Sequence, residues 1–310
     1  MADLSMFTVG PHRIDEAARR PSFDASSAGP KSVGRGRQLI HNVLLLPVVL
    51  FLALALLAPL VLTSSPTSQD LLGRLTPPVF LEGGSWAHPM GTDGLGRDIL
   101  ARVVSGARIS LILGVIAATA TAAIGVLAGM LAGTSGRSLD QSLNLAADVV
   151  MAVPFVVIGI VLTAILGQSL ANVLAILIAS GWVGYFRIIR LQTRSLVRSE
   201  FVQVSFQFGA SRWHVFRHHL TPNLFPIMVL LLFQQVAAMM LFEASLTFLG
   251  LGLPVERITL GGMVRDGQEQ IFNGWWVSVF PGIALAFAVV GFNLLADWLQ
   301  DRRDPFRRWT

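Results

Sequence analysis

The chain has 310 residues, 53% apolar and only 13% charged, with no cysteine and a formal net charge of +5. A globular domain carries roughly a quarter charged residues, so this chain lacks the polar surface to cover a water-soluble body of its size, and the missing cysteines exclude disulfide frameworks, thiolate nucleophiles and cysteine-bound zinc. Of the 23 basic residues 22 are arginine, and the one lysine, Lys31, follows Pro30 instead of closing a glycine-rich loop, so the chain has no P-loop with which to hydrolyse ATP by itself.

Residues 1–38 are rich in Ser, Pro, Gly and charge without a sustained apolar period, and read as a disordered tail. Residues 39–62 are almost continuously apolar, long enough to cross a hydrocarbon core of ~30 Å and longer than the apolar centre of a signal peptide. A loop over 63–105 follows, and then five further apolar stretches at about 109–132, 143–166, 170–189, 226–249 and 277–299. Each is expected to be helical, because lipid offers no partner for backbone N–H and C=O groups. The fold class is therefore all-α and polytopic, with six transmembrane helices: one at 39–62 and five in a core spanning 106–300. Small residues recur in the second span at Gly114, Ala118, Gly125 and Gly129, the composition of a helix packed inside a bundle.

Arginine placement orients the chain. Counting loops alternately, seventeen Lys and Arg residues, including the basic tail at 301–310, fall on one side and five on the other, with Arg108 at a boundary. Both termini are thus expected in the cytoplasm, and the basic charge becomes a statement of topology instead of a sign of nucleic-acid binding.

The connection between the fourth and fifth spans, within 190–223, is too long for a simple loop. Ser199 can cap a helix complemented by Glu200, on which Phe201, Val204 and Phe208 share a face. Gly209 stands where a left-handed C-terminal residue belongs, and Ser211 can cap a second helix running from Arg212 to His219, with Pro222 as its stop. This helix–turn–helix on the cytoplasmic face has four readings: a DNA-binding unit, a metal site at His214 and His218, a lipid-facing amphipathic helix, and a docking knob for a soluble partner. Tight tethering to two spans argues against the first, and the lack of a nearby acid or thiol against the second. The docking knob is the leading account.

The segment 181–222, the run Glu243-Ala244-Ser245-Leu246-Thr247-Phe248-Leu249-Gly250-Leu251-Gly252, the stretch His88-Pro89-Met90-Gly91-Thr92-Asp93-Gly94-Leu95-Gly96-Arg97-Asp98 and the following Gly106-Ala107-Arg108-Ile109-Ser110-Leu111 together resemble the inner-membrane permeases of bacterial ABC importers for peptides and nickel, in particular the second of their two permease subunits. The likeness covers about 37–305. It implies a coupling helix that enters a cleft of an ATPase subunit, with Phe201, Gln203, Val204, Phe208, Gly209, Ala210, Ser211 and Arg212 at the contact. The family's cytoplasmic motif opens with Glu-Ala-Ala, where this chain has Gln203-Val204-Ser205; Gly209 and Pro222 fit, while His219 and Thr221 replace the family's Ile and Leu. The resemblance further implies a homologous second permease subunit, two ATPase subunits that bind ATP and Mg, an external solute-binding protein, a bacterial inner-membrane location, and a transport subunit with no catalytic residues, metal or directly bound cofactor.

Outside the membrane, Asp93, Arg97 and Asp98 either meet the binding protein or pin the loop to the bundle. Glu243, with Ser245, either lines the pathway or forms a hydrogen bond between helices, since an ionisable group within a span is costly; Asp148 and Asp297 take the structural reading. The rival class is a self-contained secondary transporter or channel, which usually carries inverted repeats or a chain of intramembrane ionisable residues. A membrane-anchored regulator that uses the helix–turn–helix is a third.

Overall fold

The computed structural model describes residues 45–56, 65–254 and 256–303, so the tail at 1–38 with Lys31, both ends of the 39–62 span and most of the 301–310 tail lie outside the described residues. The described residues form helices and turns with one isolated antiparallel bridge, Thr92–Asp98. In chain order the helices are α1 (Leu46–Leu56), α2 (Ile99–Thr134), α3 (Arg137–Ala152), α4 (Phe155–Leu166), α5 (Leu170–Val197), α6 (Glu200–Gln207), α7 (Arg212–Val215), α8 (Thr221–Phe248), α9 (Leu260–Asp266) and α10 (Trp276–Arg303). Four continuous helices, at 99–134, 170–197, 212–248 and 276–300, are long and apolar enough to cross a membrane, and the bent pair α3–α4 makes a fifth crossing if it is one span.

Three elements depart from the sequence expectation. The loop expected to run to residue 105 ends earlier, because Asp98 caps α2 by accepting from the Ala101 N–H at 3.0 Å. The expected span at 143–166 breaks by 83° between α3 and α4. Proline disfavours the helical region for the residue before it, and Val153 is accordingly extended (φ −99°, ψ 120°) ahead of Pro154. Pro222 does not stop the helix begun at Arg212. A π turn over Phe216–Leu220 leads straight into α8, with the Thr221 N–H donating to Phe216 O. Pro222 thus stands inside the continuous helix 212–248, directly after the π turn, a place where the regular bonding is already interrupted and the missing N–H is accommodated.

Packing follows from small residues on α2. A Cβ at Gly125 would fall 2.6 Å from Trp182 O, and one at Gly133 2.6 Å from Thr193 Cβ, so α2 and α5 run parallel with their backbones in close approach. Against α2, α8 is antiparallel: Met240 covers Gly114 and Gln235 reaches Thr121. The main core joins Phe51, Ile99, Ile176, Leu177, Met239, Leu246, Leu260, Trp276 and Phe292. A second cluster, made by Met130, Tyr185, Ile189, Val202, Val215, Leu220 and Leu224, gathers α2, α5, α6, α7 and α8 at the end of the bundle opposite Asp98. Large apolar side chains such as Ile112, Ile116, Leu127, Ile160 and Ile165 point outward, as suits a body solvated by lipid or by another membrane subunit.

Candidate functional site

The α6–α7 turn is built as a projecting knob on an embedded base. Val202 is fully buried among Met130 and Ile189, so the first helix is anchored by one side chain. On the outer side Phe201 and Val204 are each 46% exposed, Phe208 88% and Trp213 67%. Exposed apolar area is thus concentrated on a rigid turn. Gly209 has φ +84°; its N–H donates to Phe206 O at 3.0 Å and that of Ala210 to Ser205 O at 3.0 Å, the paired bonds of a Schellman ending. Ser211 caps α7 by accepting from the His214 N–H at 3.2 Å, next to the exposed Arg212.

Gln203, expected at the contact, and two serines beside it are engaged internally. Gln203 donates through Nε2 to Val197 O at 2.6 Å, closing the C-terminal end of α5. Ser199 occupies the cap position of α6, but its hydroxyl turns back to Leu196 O, so its side chain does not perform the expected capping. Ser205 donates to Phe201 O at 2.9 Å and lies 3.2 Å from His219 Nε2; with its one proton committed, its oxygen accepts from the imidazole N–H. The His214 and His218 rings stack with centroids 4.4 Å apart. Trp213, stacked on Phe216 at 5.4 Å, is a part of the exposed surface that the sequence reading did not single out.

At the opposite end, the charged run after Met90 folds inward. Asp93 Oδ1 accepts from the N–H groups of Leu95 (2.9 Å) and Arg97 (3.0 Å), while Oδ2 pairs with Arg97 Nε at 2.7 Å and Arg102 Nε at 3.5 Å. Asp98 caps α2 with one oxygen and meets His88 Nδ1 at 2.9 Å with the other. Trp276 Nε1 donates to Thr92 O at 3.0 Å, tying this loop to α10. Arg102, itself buried, also reaches Asp266 at 3.4 Å. Partial desolvation holds the Asp266 carboxyl, its side chain still 40% exposed, above the ordinary carboxylate range, against the lowering pull of the Arg102 guanidinium.

Glu243 is fully buried where three helices meet. Its Oε2 accepts from Ser110 Oγ on α2 at 3.1 Å and its Oε1 from Thr247 Oγ1 at 2.9 Å, while Ser110 Oγ in turn accepts from the Leu260 N–H at 3.3 Å at the start of α9. Every group in this knot has a protein partner. Ser245, half-buried on the other side of α8, donates to Leu241 O at 2.8 Å. The structure therefore does not bring Glu243 and Ser245 together.

Two further polar centres escaped the sequence reading. Gln235 Nε2 donates to Gly181 O at 3.1 Å, linking α8 to α5. Asp140, 6% exposed, meets Arg190 NH2 at 2.8 Å and Arg194 NH2 at 2.6 Å. The signal for the latter was present: an acid on α3, opposite arginines four residues apart on α5.

These features define a helical membrane protein with a projecting apolar knob at one end and a pinned polar loop at the other, and with no nucleotide-binding loop in its sequence. Comparison with known proteins agrees. Residues 125–309 match the family described as binding-protein-dependent transport system inner membrane component, and the chain belongs to that family. It is 33% identical over 258 residues to the probable D,D-dipeptide transport system permease protein DdpC of Escherichia coli K12, covering 83% of this chain and 85% of that one. It is 32% identical over 296 residues to the dipeptide transport system permease protein DppC of Bacillus subtilis, covering 95% and 90%. A putative peptide permease protein of Brucella suis is 34% identical over 287 residues, covering 90% and 92%. The chain is accordingly a permease component of an ABC import system, located in the inner membrane, and a transporter part instead of an enzyme.

Proposed function

We propose that this permease forms half of the translocation pathway of an importer for dipeptides or similar short peptides, paired with a homologous second permease subunit. Two ATPase subunits binding ATP and Mg act below it, and a solute-binding protein acts above it. The observation that carries this reading is the knob: exposed Phe201, Val204 and Phe208 around Gly209, standing on a buried base, suit insertion into a cleft of a soluble partner. The substrate class rests on the names of the relatives that cover nearly the whole chain. The topology proposed has six spans and two cytoplasmic termini, with α1 as the central part of the first span and α3–α4 as the third; the arginines then concentrate on the cytoplasmic side.

ATPase closure draws the two coupling knobs together and tilts the bundles, opening the site outward; hydrolysis and release reset it, and solute follows the changed access. The internal bonding of Asp93, Asp98 and Glu243 favours positioning roles for them: the first two pin the external loop, and the third ties α8 to α2 and α9. Reconstitution of the four-subunit membrane complex with its binding protein tests the function. Dipeptide uptake that requires ATP and both ATPase subunits supports it. Uptake that persists without them and collapses with the proton gradient establishes the secondary-transporter reading instead.

A further inference from the structure

We propose that Asp140 is a positioning residue for transport, which makes the α3–α4 arm follow the end of α5 that carries the coupling knob. The proposal rests on the reading that the knob meets an ATPase. α6 begins three residues after α5 ends, Val202 shares a buried cluster with Tyr185 and Ile189 of α5, and Gln203 bonds Val197 O, so a displacement of the knob is inherited by the last turns of α5. Those turns carry Arg187, Arg190 and Arg194.

The attachment of α3 to them is uneven. Its apolar contact is small, made by Ala147 with Leu143 and Val150 against Ala132, Val183 and Phe186. The Asp148–Arg187 pair has side chains 61% and 47% exposed, and exposed ion pairs hold little. Asp140 differs in every respect. Its carboxylate is buried, both oxygens are engaged by two guanidinium groups, and Asn144 Nδ2 adds a contact at 3.2 Å. Several charge-assisted bonds on one acid give a directional joint, which apolar contact alone does not.

The far end of the arm is attached as well. Beyond the 83° bend, α4 reaches the segment after α8: Thr163 Oγ1 donates to Leu251 O at 3.3 Å, and Gln168 Nε2, just past α4, donates to Gly250 O at 2.6 Å. Leu246 of α8 also lies against Gly159. The α3–α4 arm therefore runs from the knob end of the bundle to the external-loop end, where it is held both to the segment after α8 and to the start of α5, whose Asn172 Nδ2 donates to Thr163 Oγ1 at 3.3 Å. Asp140 is its grip on the knob end.

The test uses the complete complex in lipid nanodiscs or liposomes, with Asp140→Asn and the exchange Asp140→Arg/Arg190→Asp. Expected for Asp140→Asn are full capture of the ATPase subunits and retained ATP hydrolysis, with solute imported per ATP reduced about fivefold or more, partly restored by the exchange. Because the chain has no cysteine, thiol-attached spin labels at the exposed Leu145 and Leu191 report α3 against α5 directly. Their separation stays constant through the ATP cycle in the parent protein and changes in Asp140→Asn. An unchanged solute-to-ATP ratio with an unchanged separation overturns the proposal. So does loss of transport that merely tracks loss of ATPase capture or a lowered melting temperature, which is a purely structural role. If the parent reading is wrong the signature differs: the unsubstituted chain captures no ATPase, and the proposal falls with it.

Discussion

Replacement of Gly209 separates backbone strain from size at the knob. The residue has φ +84°, and a Cβ built there meets nothing within 4 Å, so a side chain is opposed by the backbone alone. Holding an L-residue in the left-handed region costs about 1–2 kcal/mol, with Asn the most tolerant, and a β-branched residue is disfavoured further. If the turn opens to escape that cost, the Phe206 and Ser205 carbonyls lose their Schellman bonds and Phe208 leaves its place beside Val204. A change of 1–2 kcal/mol moves a two-state population by about 5–30-fold. ATPase capture by nanodisc-embedded permease should weaken by that factor for Gly209→Ala, less for Gly209→Asn and more for Gly209→Val, with uptake falling in the same order. Size alone would rank the bulkier Asn below Ala. Equal capture by all four proteins, or Asn binding more weakly than Ala, refutes the reasoning.

Glu243→Gln keeps an acceptor for Ser110 or Thr247 and should assemble, whereas Glu243→Leu removes both bonds; at roughly 0.6 kcal/mol per intramembrane bond plus misfit, the Leu variant should lower the melting temperature in detergent and the Gln variant should not. Gly125→Val drives a side chain into Tyr185 and Trp182, an overpacking of about 1–3 kcal/mol or more, read as loss of folded protein on size exclusion. Because Asp266 has a raised carboxyl pKa, its contribution to stability is present at acid pH and is lost as pH rises through the folded pKa. The Asp266→Asn variant should therefore show less gain in thermal stability on mild acidification than the parent protein, and an identical pH dependence would count against the partial desolvation of that group.

The legible parts of the fold were those written in long-range composition. Apolar runs marked the four long helices and the bent pair α3–α4 because lipid forces backbone bonding inside each helix, and Gly209 with Ser211 marked the turn because few residues perform those backbone tasks. The missed parts depend on which helices touch. The break at Val153–Pro154 was visible as a proline within an apolar run, but a proline there is compatible with either a kink or a break. Pro222 read as a stop because the π turn ahead of it has no signature in residue type. Asp140 stayed hidden because its arginines lie 50 and 54 positions away on α5, and the sequence registered them only as markers of sidedness. Gln203 is the converse case: the motif placed it at the contact, while its amide closes the end of α5.

The base of the knob has a practical corollary. Val202, Val215 and Leu220 complete a core whose other walls are Met130, Ile189 and Leu224, from three different long helices. A synthetic peptide spanning 190–223 would expose those three side chains to water and lose the template that aligns its two short helices. Reagents meant to compete for the partner cleft proposed above therefore need a scaffold that reproduces this support, such as a covalent staple or a grafted helical bundle.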